Sequence, residues 1–190
     1  EPRQAHLLIS AGGGIVGDEL FRAALQARAL LREPLPMRLV AGPFLPESEW
    51  QALQKIAKGM NGVEVLRQVP EMVAEMRQAR ASISQCGYNT ALDIMVSQVP
   101  ALVVPYATKT ENEQSVRAYR LAALGAISHL SAEALSPLRL AQEIDALLTF
   151  EPRAAALDLD GAAQSAQLLH QLCRMTTVAA PNQEAVCKQV

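Results

Sequence analysis

The stretch Gln85-Cys86-Gly87-Tyr88-Asn89-Thr90-Ala91-Leu92-Asp93 follows the apolar run Ala79–Ser84 and opens a helix-like segment. Small and polar residues therefore stand where a strand passes into a helix. The first amides of a helix have no partner within the helix, and the helix dipole places partial positive charge there. We call residues 85–90 the Gly87 turn and predict that it binds an anion such as phosphate.

Strand-like and helix-like segments alternate along the whole chain. The predicted strands are His6–Ser10, Met37–Val40, Val63–Leu66, Ala81–Ser84, Ala101–Val104 and Ala126–Leu130. Regular alternation of this kind predicts an α/β, Rossmann-like, doubly wound fold with about six parallel strands and helices on both faces. If the strand order is 3-2-1-4-5-6, the loops after strands one and four flank the crevice where such sheets bind ligands.

The domain boundaries follow from the ends of this alternation. Residues 1–5 are interpreted as a linker remnant, residues 6–175 as one nucleotide-sugar-binding domain, and residues 176–190 as a disordered tail. Because the chain starts at Glu1 rather than Met, we expect a cut or processed N-terminus. The last predicted helix, Asp160–Met175, carries an apolar stripe that we expect to face the core. Where that stripe is bare, it could form a homodimer.

Composition excludes several classes of protein. Hydrophobic residues make up 50% of the 190 residues and charged residues 19%, which is typical of a globular domain. The net charge of -2 and the lack of a Lys/Arg cluster argue against a nucleic-acid partner. No apolar run approaches the roughly 20 residues that span a bilayer. The three cysteines are widely spaced, which indicates reduced thiols in a cytoplasmic protein.

The segment Gly12-Gly13-Gly14-Ile15-Val16-Gly17 matches the pattern G-x-G-x-x-G. We call residues 11–17 the glycine loop. A dinucleotide site also needs an acidic residue after the second strand, about 20 residues on, but the chain has Ala41-Gly42-Pro43 there. The pattern therefore favours a phosphate-facing loop for another nucleotide, with a tight turn that binds nothing as the simpler alternative.

A third segment is expected at the same carboxyl ends of the predicted strands. The buried run Pro100–Pro105 leads into a polar loop, and Glu113 and Gln114 then start a helix. A carboxylate beside an amide can bind hydroxyls in pairs, as a sugar requires. Without this third segment, the Gly87 turn is as consistent with an ordinary helix start, capped by Asn89 or Thr90, as with a ligand site.

Other polar residues are interpreted as structural. His6, His129 and His170 have no cysteine or aspartate at ligand spacing, and Cys86 has no histidine nearby in sequence. No pair of carboxylates is spaced for a metal ion. We therefore expect neither a metal nor a cofactor.

Together these residues resemble the C-terminal half of GT-B glycosyltransferases, and most closely glycosyltransferase family 28, which includes MurG. The resemblance covers about Leu7 to Leu148. It is carried by the ordered set Gly13-Gly14-x-x-Gly17, Gly87-x-x-Thr90-x-x-Asp93, Pro100–Pro105 and Glu113-Gln114.

The resemblance implies roles for individual residues. Gly13 and Gly14 would line the diphosphate of a UDP-sugar, together with Gly87, Tyr88, Asn89 and Thr90. Asp93 would bind the ribose, where the family has a longer glutamate. Val69 would lie against the uracil, and Glu113 and Gln114 would bind the sugar. Ile15 replaces a small polar residue of the relatives, so one phosphate contact is missing.

The expected function is that of a donor-binding domain in a hexosyltransferase. The donor would be a UDP-sugar carrying a hexose or an N-acetylhexosamine. In the resembling enzymes the general base and the acceptor site lie on an N-terminal domain, so we expect this chain alone to be inactive. That missing domain could also hold the protein at a membrane surface. The alternatives are half of a UDP-sugar 2-epimerase and a non-catalytic nucleotide-binding subunit.

Overall fold

The computed structural model describes residues 6–108, 110–154, 157 and 159–178, with side chains to residue 174. The predicted linker at residues 1–5 lies outside the described residues. Contacts divide the chain between Ala155 and Ala156 into two units.

The first unit is built on one six-stranded parallel sheet. Its strands are β1 (Leu7–Ser10), β2 (Met37–Val40), β3 (Val63–Leu66), β4 (Ala81–Ser84), β5 (Ala101–Val103) and β6 (Ser128–His129). Their order is β3-β2-β1-β4-β5-β6, which confirms the predicted doubly wound topology. Leu7 pairs with Met37 on one side and with Ala81 on the other. Strands β2 and β3 are therefore added on one side of β1 and strands β4 to β6 on the other, and the carboxyl ends of β1 and β4 form the switch point.

The helices cover both faces of the sheet. They are α1 (Asp18–Ala27), α2 (Glu47–Lys58), α3 (Met72–Gln78), α4 (Tyr88–Ser97), α5 (Glu113–Ala123) and α6 (Pro137–Leu147). Alternate residues of β1 point to opposite faces: Leu7 and Ile9 join the buried cluster beneath α1, α2 and α6, whereas Leu8 joins the cluster beneath α3, α4 and α5. Burial of both faces explains why β1 and β5 are continuous apolar runs rather than alternating ones.

Two local predictions can be compared with the helix and strand ends. Ser136 caps α6, because its hydroxyl accepts a hydrogen bond of 3.2 Å from the amide of Arg139, and Pro137 is the first helical residue, as predicted. Strand β6 is shorter than the predicted Ala126–Leu130. It pairs only with β5 at the sheet edge, and the amide of Ala126 instead donates to the carbonyl of Leu121 at 3.1 Å.

The second unit contains α7 (Gly161–Val178). The helix continues to Val178, three residues into the predicted tail, and residues 179–190 lie outside the described residues. The predicted core-facing stripe is exposed at Ala163, Ala166, Leu169 and Leu172. Among its described residues this unit has no other helix or strand, so it offers the stripe no core of its own. The expected packing of this stripe on a core stays a prediction.

Candidate functional site

The glycine loop leaves the carboxyl end of β1 and is folded on itself. The amide of Gly14 donates to the carbonyl of Ala11 at 2.9 Å, and the amide of Gly17 donates to that of Gly14 at 3.2 Å. Gly12 and Gly13 are exposed, whereas Gly14 is buried beneath them. A side chain on Gly14 would lie 2.3 Å from the carbonyl oxygen of Ala41, and its φ of +94° also requires glycine.

The Gly87 turn leaves the carboxyl end of β4 beside this loop. The side-chain amide of Gln85 donates to the carbonyl of Val16 at 2.9 Å, across the switch point. A Cβ atom built on Gly12 would lie 4.0 Å from the hydroxyl oxygen of Thr90. The structure therefore brings together the two segments that the sequence proposed as a phosphate site.

The start of α4 is open to an anion. Gly87 is the N-cap and has no side chain that could cap the helix, so neither Asn89 nor Thr90 has that role. Tyr88 and Asn89 are exposed and Thr90 is buried. Among the described residues, no side chain accepts from the first three amides of α4, and its first turn contains no acidic residue. Their partial positive charge is therefore not neutralised locally.

Helix α5 holds the Gly87 turn from the other side. The side-chain oxygen of Gln114 accepts two backbone hydrogen bonds, from Cys86 at 3.0 Å and from Tyr106 at 3.1 Å. That oxygen thus joins the ends of β4 and β5. The adjacent Glu113 forms an ion pair with Arg117, and its side chain is 69% exposed. The side-chain oxygen of Gln114 thus accepts two backbone hydrogen bonds, and its NH₂ group takes no part in them.

Asp93 and Val69 lie on the same side of the sheet, where α3 and α4 pack together. Burial raises the pKa of the half-buried Asp93 carboxyl, and the nearby Glu71 carboxylate raises it further. Glu71 caps α3 by accepting from the amide of Val73 at 3.4 Å. Val69, two residues before Glu71, is half-buried against the cluster beneath α3, α4 and α5. The two residues expected at ribose and uracil thus lie on the same side of the sheet.

Sequence reasoning missed Gln85 and Arg117. The guanidinium of Arg117 donates to the carbonyl of Cys86 at 2.7 Å and lies 5.5 Å from the centre of the Tyr88 ring. The four-residue spacing of Glu113 and Arg117 could have predicted their ion pair. No sequence signal joins Arg117 to Cys86, because the two residues are 31 positions apart.

The cysteine and histidines do not add to this site. Burial raises the pKa of the Cys86 thiol to about 11, which makes it a poor nucleophile at neutral pH. His129 and His170 are exposed. His6 lies at the amino end of β1, on the far side of the sheet from the two loops, where it lines a cavity of about 520 Å³ with Arg38 and Glu64. Within the described ranges, no three His, Cys, Asp or Glu residues are grouped closely enough to hold a metal ion.

This arrangement, two loops that meet at a switch point with carboxylate and amide groups beside them, is that of a doubly wound α/β domain. The chain belongs to a family of this class: residues 8–172 match the glycosyltransferase family 28 C-terminal domain. The expected family is therefore confirmed.

Two curated relatives show how much of a longer protein this chain matches. One relative is the UDP-N-acetylglucosamine--N-acetylmuramyl-(pentapeptide) pyrophosphoryl-undecaprenol N-acetylglucosamine transferase of Rhizobium leguminosarum, which is 28% identical over 88% of this chain and 46% of its own length. The enzyme of the same name from Mesorhizobium japonicum is 33% identical over 76% of this chain and 39% of its own length. The chain thus spans about half the length of the curated relatives it matches.

Solved structures show the fold. MurG of Acinetobacter baumannii superposes with a TM-score of 0.65 at 22% identity, over 78% of this chain and 42% of that one. CalG4, the calicheamicin glycosyltransferase, has a TM-score of 0.60 at 25% identity, over 78% of this chain and 35% of that one. The fold is that of the C-terminal half of GT-B glycosyltransferases. None of the described helices is long and apolar enough to cross a bilayer.

Proposed function

We propose that this chain is the donor-binding half of a glycosyltransferase that takes a hexose or an N-acetylhexosamine from a UDP-sugar. The observation that carries the proposal is the meeting of the exposed glycine loop with the uncapped start of α4. Each feature alone is common, but here they face one another across a switch point, with Gln85 bonded to Val16 between them.

In this proposal the diphosphate lies between the two loops. Gly13 approaches it closely because it has no side chain, and Gly14 supports the loop from beneath. The Gly87 turn presents the amides of Tyr88, Asn89 and Thr90. When the bond between the sugar carbon and the phosphate oxygen breaks, its electron pair goes to UDP. Amides fixed in advance at a helix start stabilise that charge without rearranging.

The remaining groups bind the nucleoside and the sugar. Asp93 accepts hydrogen bonds from the ribose hydroxyls, and Val69 lies beside the uracil. Since the oxygen of Gln114 holds Cys86 and Tyr106, we assign sugar recognition to its NH₂ group. The Glu113 carboxylate is exposed, so its ion pair costs little to rearrange around a sugar hydroxyl.

The acceptor and the base that removes its proton belong elsewhere in this proposal. The curated relatives are more than twice as long as the segment they share with this chain. A general base must come within hydrogen-bond reach of the acceptor hydroxyl. We place that base on an N-terminal acceptor domain, so the donor-binding chain by itself would not transfer sugar.

Calorimetry with UDP, dUDP and UDP-N-acetylglucosamine tests the proposal. We expect UDP to bind more tightly than dUDP, which lacks only the 2′-hydroxyl. Asp93→Ala should weaken UDP about tenfold, as expected for hydrogen bonds to a charged group, and should remove the preference over dUDP. Glu133→Ala changes the net charge equally at an exposed position and should alter neither affinity. A folded sample that binds no UDP would sink the proposal.

A further inference from the structure

We propose that Arg117 is a positioning residue for the diphosphate-binding turn, an inference that rests on the proposed function. Arg117 lies on α5, one turn after Gln114. Its guanidinium donates to the carbonyl oxygen of Cys86 at 2.7 Å, while the amide of Cys86 donates to Gln114 at 3.0 Å. One face of α5 thus holds both backbone groups of the residue that precedes the helix cap.

The same guanidinium also contacts the residue that follows the cap. Its central carbon lies 5.5 Å from the ring centre of Tyr88, within cation–π distance. Tyr88 is the first residue of α4, and its side chain is 66% exposed. Arg117 therefore bridges Cys86 and Tyr88, the neighbours of Gly87 on either side.

Gly87 needs such support. Glycine loses more conformational freedom on ordering than any other residue, and it offers no side chain of its own to fix the turn. If the turn were loose, it would have to become ordered around the ligand, and the entropy cost of that ordering would weaken binding. By holding both neighbours, Arg117 keeps the first amides of α4 in place before the diphosphate arrives.

The burial and pairing of Arg117 suit this role. Its side chain is 19% exposed, and one of its nitrogens pairs with Glu113. A planar guanidinium can bond a carbonyl and a carboxylate while stacking on a ring, whereas an ammonium group cannot do all three. Arg117→Lys keeps the charge and removes this geometry, so the two contributions can be separated.

The test compares UDP with uridine, which lacks the diphosphate. Wild-type chain, Arg117→Met and Arg117→Lys are titrated with each ligand, by calorimetry for UDP and by NMR for uridine. For Arg117→Met we expect the Kd for UDP to rise about tenfold, as for loss of a hydrogen bond from a charged group, and that for uridine to stay within about twofold. Arg117→Lys should recover only a small part of the loss. Arg120→Met, at an exposed position on the same helix, matches the change in net charge and should bind both ligands normally.

Four results overturn the inference. Equal weakening of UDP and uridine would mean general loosening of the domain, and unchanged UDP binding would mean no role. Full recovery in Arg117→Lys would mean that charge alone matters. If the wild-type chain binds uridine and UDP equally, or binds neither, the proposed function fails as well. Circular dichroism of each variant shows whether it is folded, and Arg117→Lys carries the test if Arg117→Met is not.

Discussion

Replacing Gln114 with Ala removes the acceptor shared by two backbone amides. The amides of Cys86 and Tyr106 now donate to its oxygen at 3.0 and 3.1 Å, and both bonds are part-buried. An amide left without an acceptor costs about 1 kcal/mol or more, so we expect the free energy of unfolding to fall by about 2 kcal/mol. For a domain of this size, that corresponds to a fall in Tm of roughly 4–8 °C. Ala has the higher helix propensity, so the loss cannot arise from α5 itself.

Gln114→Glu separates this structural role from ligand binding. A carboxylate keeps an acceptor for both amides, and its negative charge is favourable in the first turn of α5. We therefore expect its stability to stay within about 0.5 kcal/mol of the wild-type value. The NH₂ group is lost, however, so UDP-N-acetylglucosamine should lose part of the affinity that it gains from its sugar, while UDP binds as before.

Urea denaturation measures the stability of both variants, and calorimetry measures their ligand binding. Gln51→Ala is the matched control, because its side chain makes an exposed 3.1 Å bond to Glu47 one turn away on α2. Its loss should cost about 0.5 kcal/mol or less. Wild-type stability in Gln114→Ala would contradict the structural role of the Gln114 side-chain oxygen. Unchanged binding of UDP-N-acetylglucosamine by Gln114→Glu would contradict the assignment of the amide to the sugar.

Three further predictions concern other parts of the site. Gly14→Ala should lower the unfolding free energy by about 3 kcal/mol in urea denaturation, because φ is +94° and the new Cβ would lie 2.3 Å from a backbone oxygen of the β2–α2 loop; a loss below about 1 kcal/mol would contradict it. Burial and Glu71 raise the pKa of Asp93 above 3.8, so the folded chain is penalised once that carboxyl ionises. Asp93→Asn should therefore raise Tm at pH 7, and the gain should shrink as pH falls through the raised pKa towards 3.8, whereas a constant gain would exclude ionisation as its cause. In the native chain at pH 7, a maleimide should label the exposed Cys173 but not Cys86, whose pKa is about 11; mass mapping of the labelled peptides checks this.

Much of the fold was predictable because its signals are local. The six strands are short segments, most of them rich in apolar residues, and each is separated from the next by a helix with apolar residues at helical spacing. Crossovers between parallel strands are right-handed, which leaves few strand orders to consider. The cap at Ser136-Pro137 was predictable for the same reason, since the hydroxyl bonds an amide three residues away. Strand β6 was predicted too long, because the length of an edge strand depends on its single neighbour.

The candidate site was predictable only in part. The Gly87 turn and the glycine loop stand out in the sequence because a strand passes into a helix at each. Their closeness follows from the strand order, which places β1 beside β4. Which glycine faces outwards does not follow from the pattern. Gly14 is buried because the loop packs on the residue after β2, and that contact depends on the path of the chain between β2 and α2.

By itself, the sequence determined the α/β class and the residue types that follow β1 and β4. These features depend on periodicity and on short spacings, which act within a few residues of the chain. Only the tertiary structure decided how the Gly87 turn is held. Gln85 reaches Val16 across 69 positions, and Arg117 reaches Cys86 across 31. Such bonds exist because the packing of strands, helices and loops brings residues that are distant in sequence within 3 Å, and no local pattern records which pairs will meet.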